Sequence, residues 1–176
     1  MEKPNHEHFM KEAIKQAVIA LEKGEVPVGA VVVWKNKIIG RACNQMEMLR
    51  DPTAHAEMIA MTQASEALSD MPEAKPAAAT PQGRQKARDH RGSLEGATLY
   101  VTLEPCPMCA GALVMTKCTN LVYGARDSRA GACHSLYHIT EDDRLNHRVK
   151  VIGDVMADDS KFLLSEFFKT LRKEKR

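Results

Sequence analysis

The sequence predicts an α/β fold in which helices pack on the faces of a β-sheet. Helical and strand-like segments alternate along the 176 residues, and this alternation favours a sheet covered by helices. The length suits one domain with a substantial core. The content of 44% hydrophobic and 27% charged residues is ordinary for a globular protein. We therefore expect a single domain over residues 1–176.

A helix and a hairpin are expected in the N-terminal part of the chain. Apolar residues recur at helical spacing between Phe9 and Leu21, with Asn5 as a candidate cap and Gly24 as a stop. The runs VGAVVVW and IIGRAC follow, separated by the polar segment KNK. Two β-rich runs around a short polar break are typical of a β-hairpin.

Helices and strands are expected to alternate again beyond the hairpin. A second helix is expected to start at residues 51–53, where proline is tolerated in the first turn, and to run through His55 and Glu57 towards Leu68. The strand-like segments after it are ATLYVTL, NLVYGA and residues 149–155, and the helical segments are residues 106–116 and 160–172.

The segment from Asp70 to Gly92 interrupts this pattern. It contains three prolines and has no apolar periodicity, so we expect a flexible surface insert between a helix and a strand. Between Lys75 and Arg91 the basic residues outnumber the acidic ones. We hypothesise that the insert is a basic arm that binds phosphate groups. A solvated loop without function is the alternative.

Composition also bears on the compartment and on partners. No run of eighteen apolar residues occurs, and the polar N-terminal residues lack an apolar signal core. The chain has five cysteines, which is an odd number and does not suit a disulfide framework. Together these features favour a cytoplasmic protein with reduced thiols and no membrane association. The net charge of +2 is too small to demonstrate a nucleic-acid partner. The C-terminal end carries the basic residues Lys169, Arg172, Lys173, Lys175 and Arg176. Two interpretations are open: a solvated helix tail, or an end that binds phosphate groups.

Two cysteines and one histidine form a candidate metal site. Cys106 and Cys109 have CxxC spacing at the start of a predicted helix, where the positive helix end favours the thiolate. Alone, this spacing also fits redox pairs and structural zinc sites. His55 supplies a third candidate ligand. Three nitrogen and sulfur ligands leave tetrahedral zinc with one open position, which is the arrangement of a catalytic site.

A glutamate two residues beyond the histidine completes a catalytic set. Zinc lowers the pKa of a water molecule in its open position towards neutrality. Glu57 is close enough to His55 to move protons without binding the metal. Taken singly, each of these residues has a structural explanation. Taken together, H-x-E followed by P-C-x-x-C is the signature of zinc deaminases.

Several segments resemble bacterial tRNA-specific adenosine deaminases, a family within the cytidine-deaminase-like superfamily. They span almost the whole chain: EVPVGAVVV, DPTAHAEM, ATLYVTLEPCPMCAGAL, VYGARDSRAGA, LNHRV and LLSEFF. The zinc signature identifies only the superfamily, whereas GARDSRAGA, LNHRV and the C-terminal FF narrow the resemblance to the tRNA enzymes. The resemblance implies a three-layer α/β/α cytidine-deaminase-like fold around a mixed five-stranded sheet. It also implies a homodimer with one zinc ion per subunit.

The resemblance further implies a substrate and the residues that bind it. The substrate is the wobble adenosine of a tRNA anticodon stem-loop, which is hydrolysed to inosine. By position, His55, Cys106 and Cys109 resemble the zinc ligands, and Glu57 resembles the proton carrier. The implied substrate-binding residues are Asn44 at the base, Val26 as an apolar wall, Asp127 at a neighbouring nucleotide, and Phe167 and Phe168 on the last helix.

Two alternative functions stay open at the level of sequence. A deaminase of free guanine, cytosine or a nucleoside would share the zinc and the glutamate but would lack RNA contacts. A structural zinc-binding protein would instead have a closed site with a fourth protein ligand, for which Cys133 and Cys118 are candidates. An inert core cysteine is the other interpretation of Cys133.

Overall fold

The computed structural model of the protein describes residues 5–71 and 92–174. These residues form a five-stranded sheet with helices on both faces, which confirms the predicted three-layer α/β/α fold. Residues 72–91, which hold most of the predicted insert, lie outside the described part of the chain, as do Lys175 and Arg176.

The N-terminal elements follow the sequence pattern closely. Helix α1 (His6–Glu22) begins after Asn5, whose side-chain Oδ1 accepts a hydrogen bond from the His8 N–H at 3.0 Å. Strands β1 (Gly29–Trp34) and β2 (Lys37–Cys43) form the expected hairpin. Its two turn residues, Lys35 and Asn36, have φ angles of 47° and 61°, as a tight turn between twisted strands requires.

The remaining elements complete the alternation. They are α2 (Met46–Leu49), α3 (Ala56–Asp70), β3 (Thr98–Leu103), α4 (Pro107–Met115), β4 (Asn120–Ala125), a 3₁₀ helix (Ile139–Glu141), β5 (Lys150–Ile152) and α5 (Ala157–Glu174). The strand order is β2-β1-β3-β4-β5. Strand β1 is antiparallel to β2 and β3, whereas β3, β4 and β5 run parallel, so the sheet is mixed.

Alternate residues of the central strands face two separate apolar layers. Val31 and Tyr100 belong to a core cluster with Phe9 and Met10 of α1, and α5 packs beside α1 on this side. The other face holds the larger cluster, in which β-strand residues pack with α3 and α4. Burying both faces of the central strands explains why they are almost continuously apolar.

Two glycines let helices approach the hairpin closely. A Cβ atom on Gly29 would collide with the backbone of α1 at Ala13, and one on Gly40 would collide with the backbone of α3 at Ala60. Because glycine has no side chain beyond a hydrogen atom, these two positions allow the short spacing between the hairpin and the helices on both of its faces.

The second long helix starts later than the sequence predicts. Residues 51–53 do not begin it, because the Asp51 carboxylate accepts hydrogen bonds from the N–H and hydroxyl of Thr53 and forms a turn. Helix α3 starts at Ala56, and His55 is its extended cap residue with ψ 149°. Among the described residues, no helix is both long and apolar enough to cross a membrane.

Candidate active site

Segments distant in the sequence meet at one edge of the sheet. Strands β3 and β4 are parallel, so their carboxyl ends at Leu103 and Ala125 lie together. Strand β1 is antiparallel to β3, which brings its first residue, Gly29, to the same edge, where it pairs with Cys43 at the end of β2. Loops at the carboxyl ends of parallel strands are a common location for binding sites in α/β proteins.

The structure brings the three predicted metal ligands together at this edge. His55 caps the N-terminus of α3, and Cys106 caps the N-terminus of α4 with Cys109 one turn further on. Their ligand atoms all lie within 4.8 Å of one another. His55 Nδ1 is 3.7 Å from Cys106 Sγ and 3.6 Å from Cys109 Sγ.

These distances fit a tetrahedral zinc ion. Zinc bonds of about 2.3 Å to sulfur and about 2.0 Å to nitrogen, at a tetrahedral angle, place the two ligand atoms about 3.5 Å apart. The pKa of Cys106 is lowered to about 4, chiefly by a hydrogen bond from the Cys109 thiol and also by the neighbouring His55. The pKa of Cys109 is raised by the same hydrogen bond and by burial, so Cys106 is the thiolate of the pair. Deprotonated thiols are the form that binds metal.

The cluster has three members rather than four. Within residues 5–71 and 92–174, no further His, Cys, Asp or Glu side chain joins the group. Cys118 is fully buried elsewhere and its thiol donates to the carbonyl oxygens of Ala97 and Asn120. Cys133 is also fully buried and outside the cluster. A three-ligand site leaves zinc an open position, which a structural site does not.

Glu57 lies in the first turn of α3 with an unsatisfied carboxylate oxygen. The residue is only 4% exposed, and its Oε2 atom is buried without any hydrogen-bond partner. Burial raises the pKa of this carboxyl group. A buried polar atom without a partner is costly unless a ligand satisfies it. This oxygen therefore has the properties of a group that awaits a water molecule or a substrate.

Asn44 is held in place at the end of β2. The side chain is 4% exposed, and its Nδ2 atom donates a hydrogen bond to Oε2 of Glu25 at 3.1 Å. Its backbone N–H donates to the Val28 carbonyl at 2.9 Å. Val26, the predicted apolar wall, is half-buried against the larger core cluster. Both residues thus belong to the segments that flank Gly29 and Cys43 at the site edge.

Glu104 connects the cysteine turn with the loop after β4. It is 2% exposed and accepts hydrogen bonds from the N–H groups of Asp127, Cys133, His134 and Ser135 at 3.0, 3.2, 2.7 and 2.9 Å, and from the Ser135 hydroxyl. Burial raises its pKa, but these hydrogen bonds outweigh burial and lower the pKa to about 2. The carboxylate is therefore a fixed negative charge at the centre of the loop.

The predicted RNA-contacting residues differ in accessibility. Asp127 is half-buried, and its Oδ1 accepts hydrogen bonds from the N–H groups of Arg129 and Ala130, so the side chain shapes its own loop. On α5, Phe167 is 8% exposed and Phe168 is 42% exposed, with ring centroids 5.3 Å apart. Phe168 is thus the member of this pair that offers most surface to a partner.

Sequence reasoning did not identify Glu25 or Glu104. Both stand within matched motifs, EVPVG and LEPC, but neither was assigned a role. Their hydrogen-bond partners lie 19 to 31 residues away along the chain. An acidic residue inside an apolar motif is the one sequence signal that could have drawn attention to them.

Comparison with known proteins identifies relatives across nearly the whole chain. Residues 3–125 match the family described as the cytidine and deoxycytidylate deaminase zinc-binding region. A tRNA-specific adenosine deaminase of Bacillus subtilis (strain 168) is 42% identical over 170 residues, which cover 97% of this chain and 92% of the relative. A protein of the same name from Aquifex aeolicus (strain VF5) is 42% identical over 166 residues, 94% of this chain and 95% of the relative.

Two solved structures are also similar to this chain. One, from studies of A-to-I editing by tRNA:A34 deaminases at the wobble position of transfer RNA, has a TM-score of 0.74 and 35% identity, covering 89% of this chain and 99% of that one. The guanine deaminase of Bacillus subtilis has a TM-score of 0.54 and 32% identity, covering 70% of this chain and 66% of that one.

Proposed function

The chain belongs to the cytidine and deoxycytidylate deaminase family, and we propose that it is a zinc-dependent hydrolase that converts adenosine to inosine at the wobble position of a tRNA anticodon. Two relatives that match along nearly their full length are tRNA-specific adenosine deaminases, and the structural neighbour described above comes from studies of A-to-I editing at the wobble position. The guanine deaminase covers less of the chain and superimposes less well.

One observation carries the chemical part of the proposal. Three metal-ligating side chains converge without a fourth among the described residues, and beside them Glu57 Oε2 is buried without a hydrogen-bond partner. When bound by His55, Cys106 and Cys109, zinc supplies a water molecule with a pKa near neutrality. The arrangement therefore combines a water-activating position with a proton acceptor, as hydrolytic deamination requires.

Glu57 moves protons in the proposed reaction. Its carboxylate takes up the proton that the attacking water loses and delivers it to N1 of the adenine ring. The same carboxylate then takes the proton of the hydroxyl group now bonded to C6 and passes it to the amine, so that the C6–N bond breaks, ammonia leaves and the C6 carbonyl of inosine forms. Burial, which raises the pKa of Glu57 above its ordinary value, favours proton uptake by this carboxylate.

The base and the surrounding RNA occupy the same edge of the sheet in this proposal. Asn44 binds the flipped-out adenine and Val26 provides an apolar wall, while Asp127 and Phe168 contact neighbouring nucleotides. Two observations support these assignments. Asn44 is buried at the end of β2, and the N–H of the next residue, Gln45, donates a hydrogen bond to the carbonyl of Ala54, which precedes His55. Phe168 is exposed on α5. Phe167 supports Phe168 by ring contact in this scheme rather than meeting RNA with a large surface. An anticodon loop makes base extrusion easier than a duplex does.

We further propose a cytoplasmic homodimer acting on the anticodon stem-loop. All five cysteines are unpaired, which fits a reducing compartment. Met48 and Leu49 on α2 are adjacent large apolar side chains, 54% and 53% exposed, and Met115 at the end of α4 is 85% exposed. A symmetric dimer that covers such residues is the commonest way to bury them.

Inosine formation in an anticodon stem-loop tests the proposal directly. The purified zinc-loaded protein is incubated with total tRNA, with a synthetic stem-loop that contains adenosine at the wobble position, and with free guanine, cytosine and nucleosides. We expect inosine at the wobble position and little turnover of the free bases. Efficient deamination of guanine or cytosine without action on RNA would show that the protein is a free-base deaminase instead.

A further inference from the structure

Glu25 is a buried carboxylate at the edge of the site, and it accepts several hydrogen bonds. It is 1% exposed. Oε2 accepts from Asn44 Nδ2 at 3.1 Å and from the Glu47 N–H at 3.2 Å, and Oε1 accepts from the Met48 N–H at 2.8 Å. A buried charge of this kind is tolerated because donors surround it.

The contact with Asn44 fixes which end of that amide faces the protein. A carboxylate can only accept hydrogen bonds, so the amide nitrogen of Asn44, and not its oxygen, must face Glu25. The Oδ1 atom accepts no hydrogen bond from the residues that the structure describes and is not among their buried unsatisfied atoms. Oδ1 and the second N–H of Nδ2 therefore remain available to a ligand.

We propose that Glu25 is the positioning residue for Asn44: it holds the side-chain amide in a single orientation, so that the donor and acceptor presented to the base do not exchange places. This rests on the proposed function for the identity of the base. An asparagine that flips freely offers a donor and an acceptor at either place and discriminates poorly between base edges. An Asn44 amide that Glu25 holds in one orientation imposes one hydrogen-bond pattern on the substrate.

The same carboxylate fixes the start of α2. Its hydrogen bonds from the N–H groups of Glu47 and Met48, three and four residues after Asn44, anchor the first turn of this helix. A purely structural role would be limited to this anchoring, and its loss would reduce activity whatever residue stands at position 44. A positioning role acts through the Asn44 side chain and disappears when that side chain is removed. The two explanations therefore make different predictions for a double-mutant cycle.

The test combines Glu25→Gln with Asn44→Ala in zinc-loaded full-length protein, using single-turnover deamination of the anticodon stem-loop. Glu25→Gln keeps the shape but turns an amide N–H₂ towards groups that are themselves donors. We expect kcat/KM to fall about tenfold or more in the Asn44 background and less than about twofold in the Asn44→Ala background. Glu22→Gln is the matched control, since Glu22 is exposed three residues earlier, and it should behave as wild type.

A second measurement reads the contact without relying on activity. NMR of the wild-type protein should show one Asn44 side-chain amide proton that is protected from exchange, and Glu25→Gln should abolish that protection at unchanged zinc content. Glu25→Asp, which keeps the carboxylate, should recover part of the lost activity and serves where Glu25→Gln folds poorly.

Three outcomes would overturn the positioning role. They are equal losses in both backgrounds of the cycle, wild-type activity of Glu25→Gln, and an unprotected Asn44 amide in the wild-type protein. The failure of the wild-type protein to deaminate the stem-loop would instead refute the proposed function. The NMR measurement alone would then decide whether Glu25 fixes the Asn44 amide.

Discussion

The carboxylate of Glu104 accepts a hydrogen bond from the backbone N–H of Asp127 at 3.0 Å, although 23 residues separate the two. Glu104 stands two residues before Cys106, a proposed zinc ligand, and Asp127 lies in the loop that follows β4. The turn proposed to hold the metal and the loop proposed to meet RNA are therefore joined through one buried carboxylate. A substitution that moves the turn is therefore expected to move the loop as well, and the reverse.

Glu104→Gln should reduce stability most at neutral pH. The folded-state pKa of about 2 lies below the ordinary value of 4.5, so the stabilisation is complete above pH 4.5 and is lost as the pH falls towards 2. The pKa difference sets an upper limit of about 3 kcal/mol on this part of the free energy of unfolding.

Urea denaturation of metal-free wild type and Glu104→Gln between pH 3 and 7 measures the difference in the free energy of unfolding. We expect this difference to grow as the pH rises through the acidic range and to be constant near neutrality. A difference that does not depend on pH would contradict the assigned charge state of Glu104.

Zinc content should depend on Cys106 and Cys109 and not on the other buried thiols. Cys106→Ser and Cys109→Ser each remove one of three ligand atoms and should leave well under one zinc per subunit by elemental analysis. Cys118→Ser is the matched control, because its thiol already donates to carbonyl oxygens as a hydroxyl can. Full zinc occupancy in both ligand variants would show that the metal site lies elsewhere.

Glu57→Gln should separate binding from chemistry. The amide keeps the size of the side chain but cannot carry the proton, so we expect kcat to fall by about 10²- to 10⁴-fold with zinc content and stem-loop affinity near wild type. Glu66→Gln makes the same change at an exposed position of the same helix and should leave all three quantities unchanged. Near-normal turnover of Glu57→Gln would exclude it as the proton carrier.

Residues 72–91 should influence tRNA affinity and not turnover. If the basic arm neutralises phosphates, replacing it with a Gly/Ser link should weaken binding at low salt and flatten the salt dependence of Kd. The control link is also built from Gly and Ser but keeps the five basic residues Lys75, Arg84, Lys86, Arg88 and Arg91 at their original spacing. An identical salt slope for both links would leave the insert as a solvated loop.

The exposed pair on α2 should belong to the proposed dimer interface. Leu49→Glu places a charge where an apolar contact is proposed and should shift the protein to monomers in sedimentation or light-scattering measurements. Phe162→Glu, on α5 and also highly exposed, makes the same kind of change on the helix that packs beside α1 and should leave the oligomeric state unchanged. A monomeric wild-type protein, or a dimer unaffected by Leu49→Glu, would refute this interface.

Local patterns predicted much of the architecture. Asn5 as a cap, the KNK turn and the CxxC at a helix start are short-range features, and each has the expected geometry. The start of α3 was misplaced because the Asp51 side chain bonds Thr53 and forms a turn before His55. Competition between side-chain and backbone hydrogen bonds at such a position cannot be read from apolar periodicity.

The supporting carboxylates could not be predicted in the same way. The partners of Glu25 and Glu104 are mostly backbone N–H groups. Every residue except proline has such a group, so the sequence does not show which residues donate to these carboxylates. The candidate metal ligands could be picked out from the sequence because few side chains can bind zinc and their spacing is constrained. Chemistry at the site is therefore visible in sequence, whereas the scaffold that orients it is visible only in the fold.

The proposed metal ligands come from two helix ends, and His55 precedes Cys106 by 51 residues. Synthesis proceeds from the N-terminus, so His55 is made before either cysteine. In the folded chain, the pairing of β3 with β1 places the cysteine turn at the end of the hairpin. The N-terminal half of the chain thus carries only one of the three proposed ligands, and the site is complete only when both halves are present.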